Sequence, residues 1–275
     1  MSKKNFKIDF IIIGAQKCGT TYLSNALSSH PEICFSSVKE PFYFNKSEEK
    51  TDIKDYHELF SPQRGQICGE ASTHYTFLPI YSGVAKRIKK YNSKIKLIYI
   101  MRDPFERLLS LYRFKLIRLE TSEKFECDVM HNPEYLHVGR YYTQLIPYLS
   151  LFDKEQIMPI VFEEFIENKR QHLVKVAHYL GVDEKYYKDR KLDFSKNKSK
   201  NKKRPPSYFR YVRKIAHPFR NLLSSQAISN IKELFYTDTS LAFSDNFKEK
   251  VKESFRGEIE QIEEKVLGRK ISHWN

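Results

Sequence analysis

Residues 9–21 read DFIIIGAQKCGTT. The apolar run at residues 8–13 predicts a strand buried on both faces, as in a parallel sheet. Gly14 and Gly19 then bracket a loop, and Tyr22, Leu23, Ala26 and Leu27 recur at helical spacing through residues 20–29. A strand, a glycine loop and a helix start offer backbone N–H groups and a positive dipole end to an anion. The glycines are spaced as in the GxxxxGK[ST] phosphate loop, in which a lysine follows the second glycine and a Ser or Thr holds Mg²⁺. Here Thr20 follows Gly19, and the lysine, Lys17, lies inside the loop.

The same alternation continues outward from this stretch. Residues 33–35, 67–71, 96–101 and 157–162 predict four further strands. Residues 79–90, 104–119, 141–152, 171–180, 208–223, 227–235 and 246–266 predict helices. Strands alternating with helices define an α/β chain, a P-loop-like three-layer sandwich whose central parallel sheet is flanked by helices. The 275 residues are expected to form a single domain, 1–275, with a basic loop at 195–207 and a helical C-terminal part at 208–275. Ligands of such sheets sit beyond the carboxyl ends of the strands.

A second motif falls at such an end. Residues 98–114 read IYIMRDPFERLLSLYRF. A metal-assisted NTPase would end this strand in an aspartate, but Arg102 stands there. Basic side chains thus take the place of a metal ion, which disfavours NTP hydrolysis and favours a phosphate-bearing ligand without obligatory Mg²⁺. A guanidinium at a strand end presents a fork of donors to phosphate. Ser110, eight residues on, adds a hydroxyl from the following helix.

In these two motifs the chain resembles the sulfotransferases that use 3′-phosphoadenosine 5′-phosphosulfate (PAPS), and most of all their bacterial and glycan-modifying branch. The segment QKCGTT looks like that family's 5′-phosphosulfate loop, which implies donor-binding roles for Gln16, Lys17, Cys18, Gly19, Thr20 and Thr21. Arg102 and Ser110 match its 3′-phosphate motif. VKEPFYF at 38–44 is similar to a KEP-like element whose glutamate acts as base, which carries over to Glu40, with Lys39 beside it. GEASTHYTF at 69–77 resembles a GE-S-Y stretch of bacterial members. Ala71 stands where heparan-type enzymes carry a lysine, which counts against a heparan-like acceptor and a second catalytic lysine there. The small-molecule branch places a histidine base after a comparable strand, so His74 rivals Glu40.

The resemblance extends more loosely along the rest of the chain. FSKNKSKNKKRPPS at 194–207 is similar to a basic loop that closes over the donor, which implies phosphate contacts from Lys203 and Arg204. Residues 255–274 resemble the close of the bacterial enzymes, with Ile259, Ile262 and Val266 as a packing stripe and Trp274 as a pin for the tail. The aromatics of 139–152 either line the acceptor cleft or fill the core.

Sulfuryl transfer to a hydroxyl is an in-line displacement at sulfur. The attacking oxygen sheds its proton to a nearby base, and a cation meets the charge growing on the departing phosphate oxygen. Glu40 and Lys17 suit these two tasks. The implied activity is transfer of a sulfuryl group from PAPS to an acceptor hydroxyl on a carbohydrate or glycoconjugate, of the EC 2.8.2 class, with no metal. Two alternatives stay open: a nucleotide- or polyanion-binding module without chemistry, and a small-molecule sulfotransferase with His74 as base.

Composition narrows the setting. The net charge of +14 favours polyanionic partners, but no zinc spacing or RNA-binding motif supports nucleic acid. No apolar run approaches the ~18–20 residues of a membrane span. Cys18, Cys34, Cys68 and Cys127 form no CxxC pair and read as free thiols of a reducing compartment, so a cytoplasmic location is expected.

Overall fold

The computed structural model describes residues 6–47, 51–118, 120–121, 124–188, 241 and 243–274. All five expected strands are present: β1 (Phe10–Gly14), β2 (Ile33–Phe35), β3 (Ile67–Ala71), β4 (Lys96–Met101) and β5 (Ile157–Val161). They form one parallel sheet in the order β2-β3-β1-β4-β5. This is the P-loop-like α/β arrangement expected from the sequence. β1 is central, and Phe10 lies in register with Gly69 of β3 on one side and Lys96 of β4 on the other. The segments that leave β1, β3 and β4 are therefore neighbours at the carboxyl edge, where ligands of such sheets bind.

The continuous apolar strands follow from burial on both faces. Every residue of β1 is buried, as is β4 from Leu97 to Met101. The helices are α1 (Thr20–Ser28), α2 (Ile53–His57), α3 (Val84–Tyr91), α4 (Pro104–Arg118), α5 (Phe125–His131) and α6 (Glu134–His137). They continue as α7 (Tyr141–Leu149), α8 (Phe162–Glu167), α9 (Lys169–Leu180), α10 (Lys185–Lys188) and α11 (Asp245–Gln261), which runs into a π-helical turn at Ile262–Leu267. Leu23 and Leu27 of α1, Ile88 of α3, Tyr148 of α7 and Val176 of α9 bury their side chains in the core that contains the strands. Burial of this kind stabilises by about 1.5–3 kcal/mol per large apolar side chain.

The chain divides into two compact units. The first comprises Met1–Pro104, His137–Phe194 and Ser254–Asn275, and contains the whole sheet. The second comprises Phe105–Leu136 and Ser195–Glu253. Its described part is held by an aromatic cluster in which Phe125 meets Phe105, Tyr112, Phe243 and Phe247.

One expected helix start is displaced. Residues 79–90 read as helical from Pro79, but α3 begins at Val84. The Gln144 side chain accepts from the Leu78 N–H at 2.7 Å and donates to the Leu78 carbonyl at 3.0 Å, which fixes the chain outside a helix there. Gly83, at φ 72°, then starts α3. The helices expected at 208–223 and 227–235, and the basic loop 195–207, lie outside the described residues. Among the described residues no helix is long and apolar enough to cross a membrane.

Candidate active site

The glycine loop leaves the central strand and is tied at once to its neighbour: Ala15 N–H donates to the Ile100 carbonyl of β4 at 2.8 Å. Lys17 adopts a left-handed backbone with φ 71°. For a residue with a Cβ this costs about 1–2 kcal/mol, so the surroundings must hold it there. Gly19 has φ 93°, and a Cβ at that position would lie 2.5 Å from the Phe162 ring. Only glycine satisfies both the dihedral and the contact. α1 begins directly at Thr20, with no acidic residue in its first turn and no side-chain cap from Gly19. The positive end of α1 is thus left without a carboxylate of its own, which suits an anion. Gln16, Lys17 and Thr21 are half-buried, and Thr20 and Cys18 are buried.

Arg102 leaves the end of β4 beside this loop. Its guanidinium carbon lies 5.2 Å from the centre of the Phe162 ring, the same ring that Gly19 abuts. The Tyr141 hydroxyl donates to the Arg102 carbonyl at 2.7 Å, lies 3.3 Å from the Arg102 N–H, and is 3.4 Å from the Cys18 thiol. Two aromatic side chains, Tyr141 and Phe162, therefore each touch both the glycine loop and Arg102. Glu163 extends the anchoring, accepting from the Asp103 N–H at 3.0 Å and from the Trp274 indole at 2.9 Å. Trp274 does pin the tail. Ser110 is buried on α4 in the second unit. Lys203 and Arg204 lie outside the described residues.

The segment after β2 carries Glu40, which is half-buried at φ 55°. The Thr73 hydroxyl lies 3.4 Å from Glu40 Oε2 and donates to it. Its neighbour His74 stacks on Phe42 with ring centres 4.7 Å apart and planes 13° from parallel. His74 Nε2 is 3.3 Å from the Gln16 side-chain nitrogen. Gln16, Glu40 and His74 are thus brought into one neighbourhood, joined through residues 73–74. His74 meets the glycine loop directly, and Glu40 is tied to the adjacent residue, Thr73.

Behind this neighbourhood lies a fully buried carboxylate, Glu70 of β3. Burial pushes its carboxyl from the ordinary 4.5 up to about 6, against the hydrogen bonds of Ser72, Tyr75 and Tyr56, which pull it down. In the sequence, nothing in GEASTHYTF assigns a task to Glu70 or Ser72, Phe162 reads as a strand end, and Tyr141 reads as one of an aromatic run. A pointer to Tyr141 was its place near the start of a helix after Gly139, but a phenol that bonds a backbone looks the same in sequence as one that fills a core.

The chain as a whole matches a known family. The sulfotransferase domain model matches residues 7–255, and the chain belongs to the PAPS-dependent sulfotransferase family. Carbohydrate sulfotransferase 15 of Homo sapiens is 26% identical over 266 residues, covering 71% of this chain and 47% of its own length. The chain thus spans about half the length of that curated relative. The crystal structure of a sulfotransferase from Alicyclobacillus acidocaldarius superposes with a TM-score of 0.71 at 24% identity, covering 98% of this chain and 99% of that one. Mouse sulfotransferase SULT7A1, complexed with PAP, gives a TM-score of 0.51 at 14% identity over 95% of this chain and 86% of its own. At these identities the structural matches speak to the fold.

Proposed function

We propose that this chain moves the sulfuryl group of PAPS to a hydroxyl of a carbohydrate or glycoconjugate. One observation carries the reading: Tyr141 and Phe162 each touch both the glycine loop and Arg102 at the carboxyl edge of the sheet, while Thr73 and His74 link Glu40 and Gln16 to one short turn. In this reading the loop and the start of α1 take the 5′-phosphosulfate. Arg102 takes the 3′-phosphate through its donor fork. The acceptor oxygen forms a bond to sulfur as the bond from sulfur to the bridging phosphate oxygen breaks. The acceptor proton passes to Glu40, and Lys17 meets the charge on the departing oxygen. The products are the sulfated acceptor and adenosine 3′,5′-bisphosphate (PAP). The PAP bound to the mouse sulfotransferase supports this donor, and the name of the human relative supports a carbohydrate acceptor. The net charge of +14 suits an anionic glycan.

The approach of His74 to Gln16 at 3.3 Å keeps a second reading open, in which His74 takes the proton. The test is transfer of ³⁵S from labelled PAPS to a panel of desulfated chondroitin, desulfated heparin and p-nitrophenyl glycosides. Glu40→Gln should remove most turnover, leaving a measurable residue, while changing PAP affinity by no more than about two-fold. Loss in His74→Ala instead would move the base to His74. Absence of transfer to every acceptor, with PAP binding intact, would favour a binding module.

A further inference from the structure

Three hydroxyls converge on the buried Glu70 carboxylate. Tyr56 and Tyr75 donate to Oε1 at 2.9 and 2.7 Å, and Ser72 donates to Oε2 at 2.6 Å. An ionised carboxylate only accepts, so each hydroxyl must spend its proton on Glu70 and leave its oxygen lone pairs facing elsewhere. Burial also raises both phenols well above their ordinary range, which keeps them protonated donors. Two of the three oxygens are then used again. Ser72 Oγ accepts from the Phe42 N–H at 3.1 Å, and the Tyr75 oxygen accepts from the Phe44 N–H at 3.3 Å. Two relays thus run from one buried carboxylate, through two hydroxyls, to alternate backbone amides of the segment that carries Glu40.

That segment needs holding. Glu40 and Phe42 both adopt left-handed backbones, at φ 55° and 53°. Each costs about 1–2 kcal/mol without glycine, so the conformation persists only if outside contacts impose it. The relays supply two such contacts, and the Thr73 hydroxyl on Glu40 and the Phe42–His74 stack supply two more. Neither Glu70 nor Ser72 lies in the glycine loop or at Arg102.

We infer that Glu70 is a positioning residue: its buried carboxylate sets the direction of both relays and so holds Glu40 where it meets the acceptor hydroxyl. The inference rests on the reading of Glu40 as the base. A glutamine at position 70 cannot do the same. If its oxygen serves the two tyrosines, its amide donates to Ser72. The serine proton must then turn away from position 70, and the Ser72 oxygen must accept from the amide and the Phe42 N–H together, which redirects the relay.

The test uses Glu70→Gln, Ser72→Ala and Ser72→Thr in the full chain. Turnover is followed with labelled PAPS and the best acceptor of the panel above, PAP affinity by calorimetry, and amide hydrogen exchange at Phe42 and Phe44. Glu70→Gln and Ser72→Ala should lower kcat about 10–100-fold, as a small misplacement of a reacting group does, with PAP affinity held within about two-fold. Exchange at Phe42 should quicken in both. Ser72→Thr keeps the hydroxyl and should restore kcat to within about three-fold of the parent. In a Glu40→Gln background, Ser72→Ala should cost nothing further, because it acts through Glu40. Should Glu70→Gln fail to fold, Ser72→Ala and Ser72→Thr carry the test alone. Unchanged kcat in Ser72→Ala beside a largely inactive Glu40→Gln overturns the positioning role and spares the base. Equal losses of kcat and PAP affinity also overturn it. Full turnover in Glu40→Gln removes the base reading, and the positioning role with it.

Discussion

Replacing Glu70 by glutamine should tilt the pH dependence of stability in a defined direction. The carboxyl is fully buried, and its folded-state value is raised from 4.5 to about 6. Between these values the folded protein holds the proton and the unfolded chain has lost it. Raising the pH through this window therefore strips a proton from the folded state at a cost, and stability falls. The gap, at about 1.4 kcal/mol per pH unit, amounts to about 2 kcal/mol. Glu70→Gln does not titrate, so the stability of the parent minus that of the variant should decline by about 2 kcal/mol as the pH rises from about 4 to 7. Urea unfolding of both proteins across this range gives the difference directly, and the other titrating groups largely cancel. A difference that stays flat, or a parent that gains on the variant as the pH rises, would show that hydrogen bonding outweighs burial at Glu70.

The remaining expectations concern the donor side. Lys17→Ala should cut kcat about 10²–10³-fold, the scale for losing one donor to developing charge, and near-normal turnover would contradict its role. Arg102→Ala should weaken PAP binding about 10–100-fold in calorimetry while leaving adenosine 5′-phosphate little changed, and equal losses would count against the 3′-phosphate assignment. Gly19→Ala places a methyl 2.5 Å from the Phe162 ring at φ 93°. It should cost at least about 1–2 kcal/mol in stability and weaken PAP binding, and a variant unchanged in both would refute the strained-loop geometry.

The fold was legible because parallel strands covered on both faces must be apolar along their length. β1 and β4 announce themselves in that way, and the glycines at 14 and 19 mark the turn between β1 and α1. What escaped were features with no local signature. Pro79 reads as a helix opener, but the Gln144 side chain, far along the chain, fixes Leu78 outside a helix. Phe162 reads as the last residue of a strand, and becomes the ring under Arg102 only because β5 adjoins β4. Lys17, Gly19 and Arg102 were visible from residue type and place at strand ends. Glu70 was not, because a carboxylate inside a strand gives no hint that three hydroxyls from 56, 72 and 75 surround it. The left-handed backbone at Glu40 and Phe42, neither a glycine, also leaves no trace in sequence.

The central claim is a pocket that grips adenosine by phosphates at both ends with side-chain cations. Calorimetric titration of the full chain with adenosine 3′,5′-bisphosphate in excess EDTA tests it most directly. One equivalent should bind, with the same affinity when Mg²⁺ replaces EDTA. No binding in EDTA, or binding that appears only with Mg²⁺, would contradict it.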